Sequence, residues 1–421
     1  MISADAAILH AGQIATPKGP APKRGKDLGR LEILEGGFVA MKDGRIEAAG
    51  PMSEFQKTVE LSPGFTVIDA SGKVVLPGFV DPHTHAVYAG SRVAEFVRRL
   101  EGKSYEEIAA AGGGIMSTVR MTRKAGEDEL FETGLKNLRS MLRHGTTAAE
   151  VKSGYGLSLE DELKQLRVIK KLASSQPVEL VPTFLGAHSI PAEFRADRRA
   201  YIEILKKEMI PAVASEGLAR YCDIFCDVGA FTIEESREIL EAAKAHGLKI
   251  RIHADELQGT GSAELAAELG AQSADHLTQI SREGIRRLAA SNVTAVLLPA
   301  TTFFLMKKDY APARDLISEG AVVAIATDHN PGSSMTESMQ IALQIAVLTM
   351  KMTIEEAITA STLNSAYSLE LARDMGSIEK GKKADLVIYD IPDYRHVVYH
   401  FGINHVWKVL KGGKVVWEAD R

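Results

Sequence analysis

The chain has 421 residues, long enough for a barrel-sized domain and a smaller one. Its net charge is -5, and no run of Lys and Arg forms the basic stripe a phosphate backbone requires, which argues against nucleic acid as a partner. The start, MISADAAILHAGQI, lacks the layout of a secretory signal, and the longest apolar stretch, MQIALQIAVLTM, carries two glutamines and is too short for a membrane helix. With Cys222 and Cys226 four residues apart, about 13 Å along a strand, neither one disulfide nor one shared metal is within reach. The expectation is a cytoplasmic enzyme with two buried, reduced thiols and no membrane contact.

In chain order, the N-terminal region reads as short β strands joined by turns. "LEILEGGFVAMKDGRIEAAG" and "FTVIDASGKVVLPG" place Asp43-Gly44 and Ser71-Gly72 between apolar runs, as hairpins do. The last residues repeat this style in "KKADLVIYDIP" and "VWKVLKGGKVVWEAD", with Gly412-Gly413 as the turn. Two β-rich ends, residues 1–76 and 371–421, are expected to form one small β-sandwich domain around a middle domain at 77–370.

The middle alternates apolar strands with amphipathic helices. The strands are predicted at 74–81, 146–151, 179–186, 221–227, 249–255, 273–277, 294–299 and 322–328. Helical stretches such as "TIEESREILEAAKAHG", closed by Gly247, lie between them. Eight strands alternating with helices predict an α/β fold of the (β/α)8 barrel, TIM-like type. A doubly wound open sheet is the second choice, but no G-x-G-x-x-G follows the first strand.

In a barrel, chemistry gathers at the C-terminal ends of the strands. His83 and His85 follow the first strand in "PGFVDPHTHAVYAG", His188 follows the third, His253 lies in the fifth, His276 in the sixth, and Asp328 ends the eighth. Residues two apart on a strand share a face, so His83 and His85 point the same way. His83, His85, His253 and Asp328 offer three nitrogens and one oxygen, a set suited to zinc or iron.

These motifs resemble those of the amidohydrolase superfamily. The carriers are P-G-F-V-D-x-H-T-H at Pro77–His85, H-A-D-E at His253–Glu256, D-H at Asp275–His276 and T-D-x-N at Thr327–Asn330. The likeness spans essentially the whole chain, including the return "GSIEKGKKADLVIYD" to the small domain. The strings "HTHAVYAGSR", "AAGGGIMSTV", "EVKSGYGL", "TFLGAHSIP", "HADEL" and "ATDHNPGSS" narrow it to members that open a cyclic amide in histidine degradation. The resemblance implies hydrolysis of 4-imidazolone-5-propanoate to N-formimidoyl-L-glutamate. It also implies one Zn or Fe ion per chain on the four ligands above and a homodimer. Dinuclear relatives add a carboxylated lysine on the third or fourth strand, and "ELVPTFLG" and "YCDIFCD" have none.

The resemblance assigns further roles. Glu256 would shuttle the proton, His276 would bond the water or the developing oxyanion, and Asp328 would ligate and share the base role. A propionate on the substrate needs a cation, for which Arg92 is the candidate. Tyr155 and His188 would add donors. Asn330, Gly332 and Ser333 join them because "NPGSSMTES" reads as a helix start with free N–H groups. The triple glycine Gly112–Gly114, with Tyr105 before it, is a candidate lid. His329 is set aside as facing away from the site, and His396, His400 and His405 are read as packing residues. The competing readings are another mononuclear cyclic amidohydrolase or deaminase acting on an acidic heterocycle, and a non-catalytic protein on the same scaffold, which should have lost its metal ligands.

Overall fold

The computed structural model describes every residue except 104–106, 108–111 and 421. Two eight-stranded sheets organise it. In the first sheet the strands Ile2–Thr16, Glu32–Lys42, Arg45–Pro51, Val59–Asp69 and Val74–Pro77 join Leu386–Tyr389, Val406–Lys411 and Lys414–Glu418. Val74–Pro77 is the seam between the two ends of the chain. It runs parallel to Ile2–Thr16 and antiparallel to Leu386–Tyr389. The turns at Asp43-Gly44 and Gly412-Gly413 carry positive φ at both residues, as tight hairpins require. Inward residues Ile8, Val39, Met41, Val75, Leu386 and Leu410 form a core of their own beneath this sheet.

The second sheet is the barrel. Its eight strands run in strict sequence order and every pairing is parallel: Phe79–Asp81, Thr146–Lys152, Glu179–Ala187, Tyr221–Cys226, Lys249–Ala254, Ser273–His276, Thr294–Leu297 and Val322–Ile325. The ring closes just beyond the strand ends, where Thr84 bridges His329. Asp328 N donates to His83 O at 3.1 Å and His85 N donates to His329 O at 2.9 Å. Closure therefore places His83 and His85 beside Asp328.

The seventh and eighth strands end at Leu297 and Ile325, short of the expected 299 and 328, and the first expected strand differs more. The run 74–81 is two strands, divided at Gly78. A Cβ at Gly78 would lie 2.3 Å from the Thr147 side chain, so the second barrel strand passes too close for any other residue. Gly78 N donates to Asp385 O in one sheet, and Phe79 N donates to Gly145 O in the other. The chain changes sheets at that residue.

The helix Ile233–Ala245 starts with a capping box of Thr232 and Glu235, and Gly247 follows with positive φ. The apolar helix Met339–Met350 packs against the barrel, and Gln344 Nε2 donates to Val397 O at 2.8 Å, which accounts for a glutamine in an apolar run. Among the described residues no helix is long and apolar enough to cross a membrane. Cys222 and Cys226 are free and buried, and burial pushes the Cys226 thiol up to about 12.

Candidate active site

The strand ends hold their side chains under strain. Asp255, His276, Leu277 and Asp328 all have positive φ, a conformation that residues with a Cβ adopt only where the surroundings enforce it. At the barrel seam, buried Asp81 accepts from Thr327 N at 3.1 Å and from Thr327 Oγ1 at 2.5 Å. It ties the eighth strand to the first directly below the histidines.

His83 Nε2 and His85 Nε2 each lie 3.5 Å from the same oxygen, Asp328 Oδ1. The other oxygen, Oδ2, accepts from Thr301 Oγ1 at 2.6 Å, which fixes the carboxylate's rotation. His253 joins His83 and His276 in one cluster and His85 and His188 in another, with ligand atoms in each trio within 4.8 Å. The four residues named from sequence are thus gathered, together with two further imidazoles. His188 and His276 are separated from the four by their other contacts. His188 Nδ1 is 3.0 Å from Gly154 O, and His276 Nε2 is 3.6 Å from Glu256 Oε2.

The donor set fits a cation. His83 Nε2 and His253 Nε2 are buried with no hydrogen-bond partner among the described residues. An orphaned buried ring nitrogen costs free energy unless something binds it. Burial holds His83 and His85 well below the ordinary imidazole range, aided by Lys152 and His188 respectively, so both are neutral, as metal ligands must be. Burial lifts the Asp328 carboxyl to about 7 against the pull of the Thr301 hydroxyl. A cation at Oδ1 removes that penalty.

Beneath these candidate ligands lies a charged layer closed to solvent. It contains Glu150 and Lys152 from the second barrel strand, Asp223 from the fourth, Arg251 from the fifth and Asp275 from the sixth. Lys152 Nζ donates to Glu150 Oε1 and Asp223 Oδ2, both at 2.7 Å. Arg251 Nη2 is 3.6 Å from Asp275 Oδ2 and donates to Pro82 O at 2.9 Å. The layer reaches up to the histidines: Asp275 Oδ2 is 2.6 Å from His83 Nδ1, and Asp223 Oδ2 is 3.1 Å from His253 Nδ1. Carboxylates behind the Nδ1 atoms leave each Nε2 free to ligate. Burial pulls the His253 imidazole down, but Asp223 outweighs it and leaves it above its ordinary value.

This layer was not anticipated from sequence. Its signal was a charged letter inside each strand expected to be buried, as in "AAEVK", "YCDIFCD", "KIRIHAD" and "SADHL". Lys152 lies at the end of the second strand and is saturated by carboxylates, so it belongs to this layer rather than to a bridging position on the third or fourth strand.

Glu256 lies at the rim. Burial raises its carboxyl above the ordinary range, with Lys307 and His253 opposing. Asp227 holds its segment: Oδ2 accepts from the N–H groups of Glu256 at 2.8 Å and Leu257 at 2.7 Å. On the opposite side, Tyr155 is buried with its ring 5.7 Å from that of His85 and 5.5 Å from that of His188. Arg92 pairs with Glu95 at 2.8 Å, and a Cβ on Gly332 would lie 1.9 Å from Arg92 Nη1, so the guanidinium rests on that glycine. Arg99, not singled out from sequence, donates from Nη2 to Gly332 O at 3.1 Å.

The segment after Asp328 differs from expectation. The helix there starts only at Met339, capped by Ser338. Asn330 Oδ1 accepts from Gly332 N and Ser333 N, both at 2.8 Å. Those N–H groups serve a local turn in which the Asn side chain mimics backbone, so they are not free anion donors. His329 is buried, its ring 6.0 Å from Tyr88, and it joins none of the metal-competent clusters. Gly114 N donates to Glu95 Oε2 at 3.1 Å, which ties one end of the triple glycine to Arg92's partner. Tyr105 lies outside the described residues. The His400 and His405 rings lie 4.8 Å apart, tilted at 43° to each other, and among the described residues the C-terminal histidines form no metal-competent group.

The family model described as the amidohydrolase family matches residues 74–416. Imidazolonepropionase of Alkaliphilus metalliredigens is 48% identical over 418 residues, covering 99% of each chain. The chain belongs to the amidohydrolase family and, within it, to the imidazolonepropionases. Another relative, imidazolonepropionase of Geobacillus sp. (strain WCH70), is 49% identical over 417 residues and 98% of both chains. Among solved structures, 5-methylcytosine deaminase from Klebsiella pneumoniae aligns with TM-score 0.74 over 99% of this chain and 98% of its own, at 18% identity. E. coli guanine deaminase gives TM-score 0.73 at 15% identity, over 98% of this chain and 99% of its own. At such identity the structural matches speak for the fold: a barrel with an added β sheet.

Proposed function

We propose that this chain hydrolyses 4-imidazolone-5-propanoate to N-formimidoyl-L-glutamate, with His83, His85, His253 and Asp328 holding one Zn or Fe ion. The observation that carries the reading is the pair of neutral Nε2 atoms facing a single Asp328 oxygen across the closed barrel seam. The near-half identity to imidazolonepropionases along the whole chain supports the choice of substrate. When bound, the ion lowers the pKa of water and polarises a carbonyl oxygen.

The remaining chemistry belongs to side chains. Water adds to the ring carbonyl carbon, the ring C–N bond breaks, and the released nitrogen takes a proton. Glu256 accepts the water's proton and returns it to that nitrogen. Its raised carboxyl suits both halves of the shuttle. His276, held neutral by burial with Nε2 facing Glu256, bonds the developing oxyanion. Arg92 meets the propionate, and Tyr155 and His188 orient the ring. Asn330 shapes the turn that sets Gly332 under Arg92, and its amide also holds the Ser333 hydroxyl, so both act by shaping this wall of the site.

The deciding experiment is turnover by metal-loaded protein of 4-imidazolone-5-propanoate against cytosine and guanine. The reading requires turnover of the first alone. Deamination of either base, with the imidazolone untouched, removes it.

A further inference from the structure

The loop that presents Tyr155 has almost no structure of its own, yet it is buried. Gly154 has φ +105° and Leu157 has φ 51°. A Cβ on Gly156 would lie 2.5 Å from Glu162 N, so the chain passes hard against the start of the helix Leu159–Ala173. Backbone N–H groups in such a loop need acceptors, because no water reaches them. The helix supplies these from two side chains. Glu162 is fully buried and accepts from Gly154 N at 3.0 Å, Gly156 N at 2.9 Å and Leu157 N at 2.8 Å. Gln165 Oε1 accepts from Tyr155 N at 3.1 Å.

The hold extends further. Gly154 O lies between the Gly154 N–H held by Glu162 and the Tyr155 N–H held by Gln165; it faces His188 Nδ1 at 3.0 Å and so orients that imidazole and selects its tautomer. Gln165 Nε2 donates to Val87 O at 2.8 Å, in the segment between His85 and Arg92. One helix face therefore fastens the Tyr155 loop, sets His188 through it, and ties both to the metal-ligand segment.

We infer that Glu162 and Gln165 are positioning residues, which hold Tyr155 and His188 in register with the substrate ring. The inference rests on the functional reading above for the identity of that substrate. Glu162→Gln keeps the volume but places an amide NH2 among three N–H donors, so part of the loop must let go. Gln165→Met removes the links to Tyr155 N and Val87 O.

Each variant should keep its metal and lose roughly tenfold in kcat/KM for 4-imidazolone-5-propanoate, chiefly through KM. Hydrogen–deuterium exchange of residues 153–158 should quicken in both. The discriminating measurement is the double variant of Glu162→Gln with Tyr155→Phe. If Glu162 acts through Tyr155, its effect shrinks once the phenol is gone. Losses that simply multiply, or exchange that stays as in the wild type, overturn the inference. Should Glu162→Gln fail to fold, Gln165→Met carries the same tests. If the wild-type enzyme leaves the imidazolone untouched, the functional reading fails, and the exchange measurement still decides whether these side chains hold the loop.

Discussion

His83 Nδ1 and Asp275 Oδ2 stand 2.6 Å apart where no solvent reaches either side chain. The contact forces the proton of His83 onto Nδ1 and turns Nε2 toward Asp328. Asp275 is in turn held near Lys152 and Arg251, so the tautomer of one proposed metal ligand is set by charges on three other strands.

Asp275→Asn tests that relationship. The amide retains size but weakens the acceptor and leaves Lys152 and Arg251 short of negative charge. Metal affinity should fall by roughly 10–100-fold. Titration with a competing chelator measures it, and wild-type affinity in the variant contradicts the relationship.

His253→Ala removes a proposed ligand at the join of two clusters. The protein should lose the metal and its turnover while keeping a barrel circular-dichroism spectrum, since His253 contributes little apolar packing. Metal analysis of the wild type should return about one ion per chain. Two ions per chain, both lost in this variant, would contradict the single-site arrangement.

How far the sequence foretold this site depended on whether the information was local. His83 and His85 were legible because two residues on one strand share a face whatever surrounds them. Asp328 was legible because it ends an apolar run. Lys152, Asp223, Asp275 and Arg251 were not given roles, because a charged residue in a strand is buried safely only when partners from other strands neutralise it. Those partners meet only once the ring closes. The division of 74–81 at Gly78 was hidden for the same reason: seven of eight letters read as one apolar strand, and the break is imposed by Thr147, almost seventy residues on. The N–H groups of Gly332 and Ser333 looked free because "NPGSSMTES" reads as a helix start, whereas the Asn330 side chain folds back on its own turn and the helix begins only at Met339.

Glu256→Gln should retain metal and substrate binding and lower kcat by roughly a hundredfold or more. The pH profile supplies a second readout. A base works when ionised, so its contribution is present above its pKa and lost as pH falls through it. Burial raises the Glu256 carboxyl above 4.5, so the acid limb of kcat/KM should lie above the ordinary carboxylate range. That limb should vanish from the residual activity of the variant. Wild-type turnover in the variant would move the base role to Asp328 or His276.

Arg92→Met tests substrate choice. A carboxylate taken into a closed site needs a compensating charge, and Arg92 lies on Gly332 with Glu95 as its one ion-pair partner among the described residues. The variant keeps some of the stem's bulk and should lose roughly 2–4 kcal/mol of transition-state binding, with metal content unchanged. Part of any loss could come from Glu95, which is left without its cation and also anchors Gly114 N. An analogue lacking the propionate separates the two effects. Wild type should turn it over poorly, because Arg92 then meets no anion. The variant should do little worse, because the interaction it lacks is already absent. The difference between the two losses isolates the pairing of guanidinium and carboxylate from the disturbance at Glu95, which is the same with either substrate. If the losses add, the propionate is held elsewhere. Asn330 already occupies the N–H groups of Gly332 and Ser333, so the next candidate is Arg99, whose guanidinium reaches the same loop through Gly332 O.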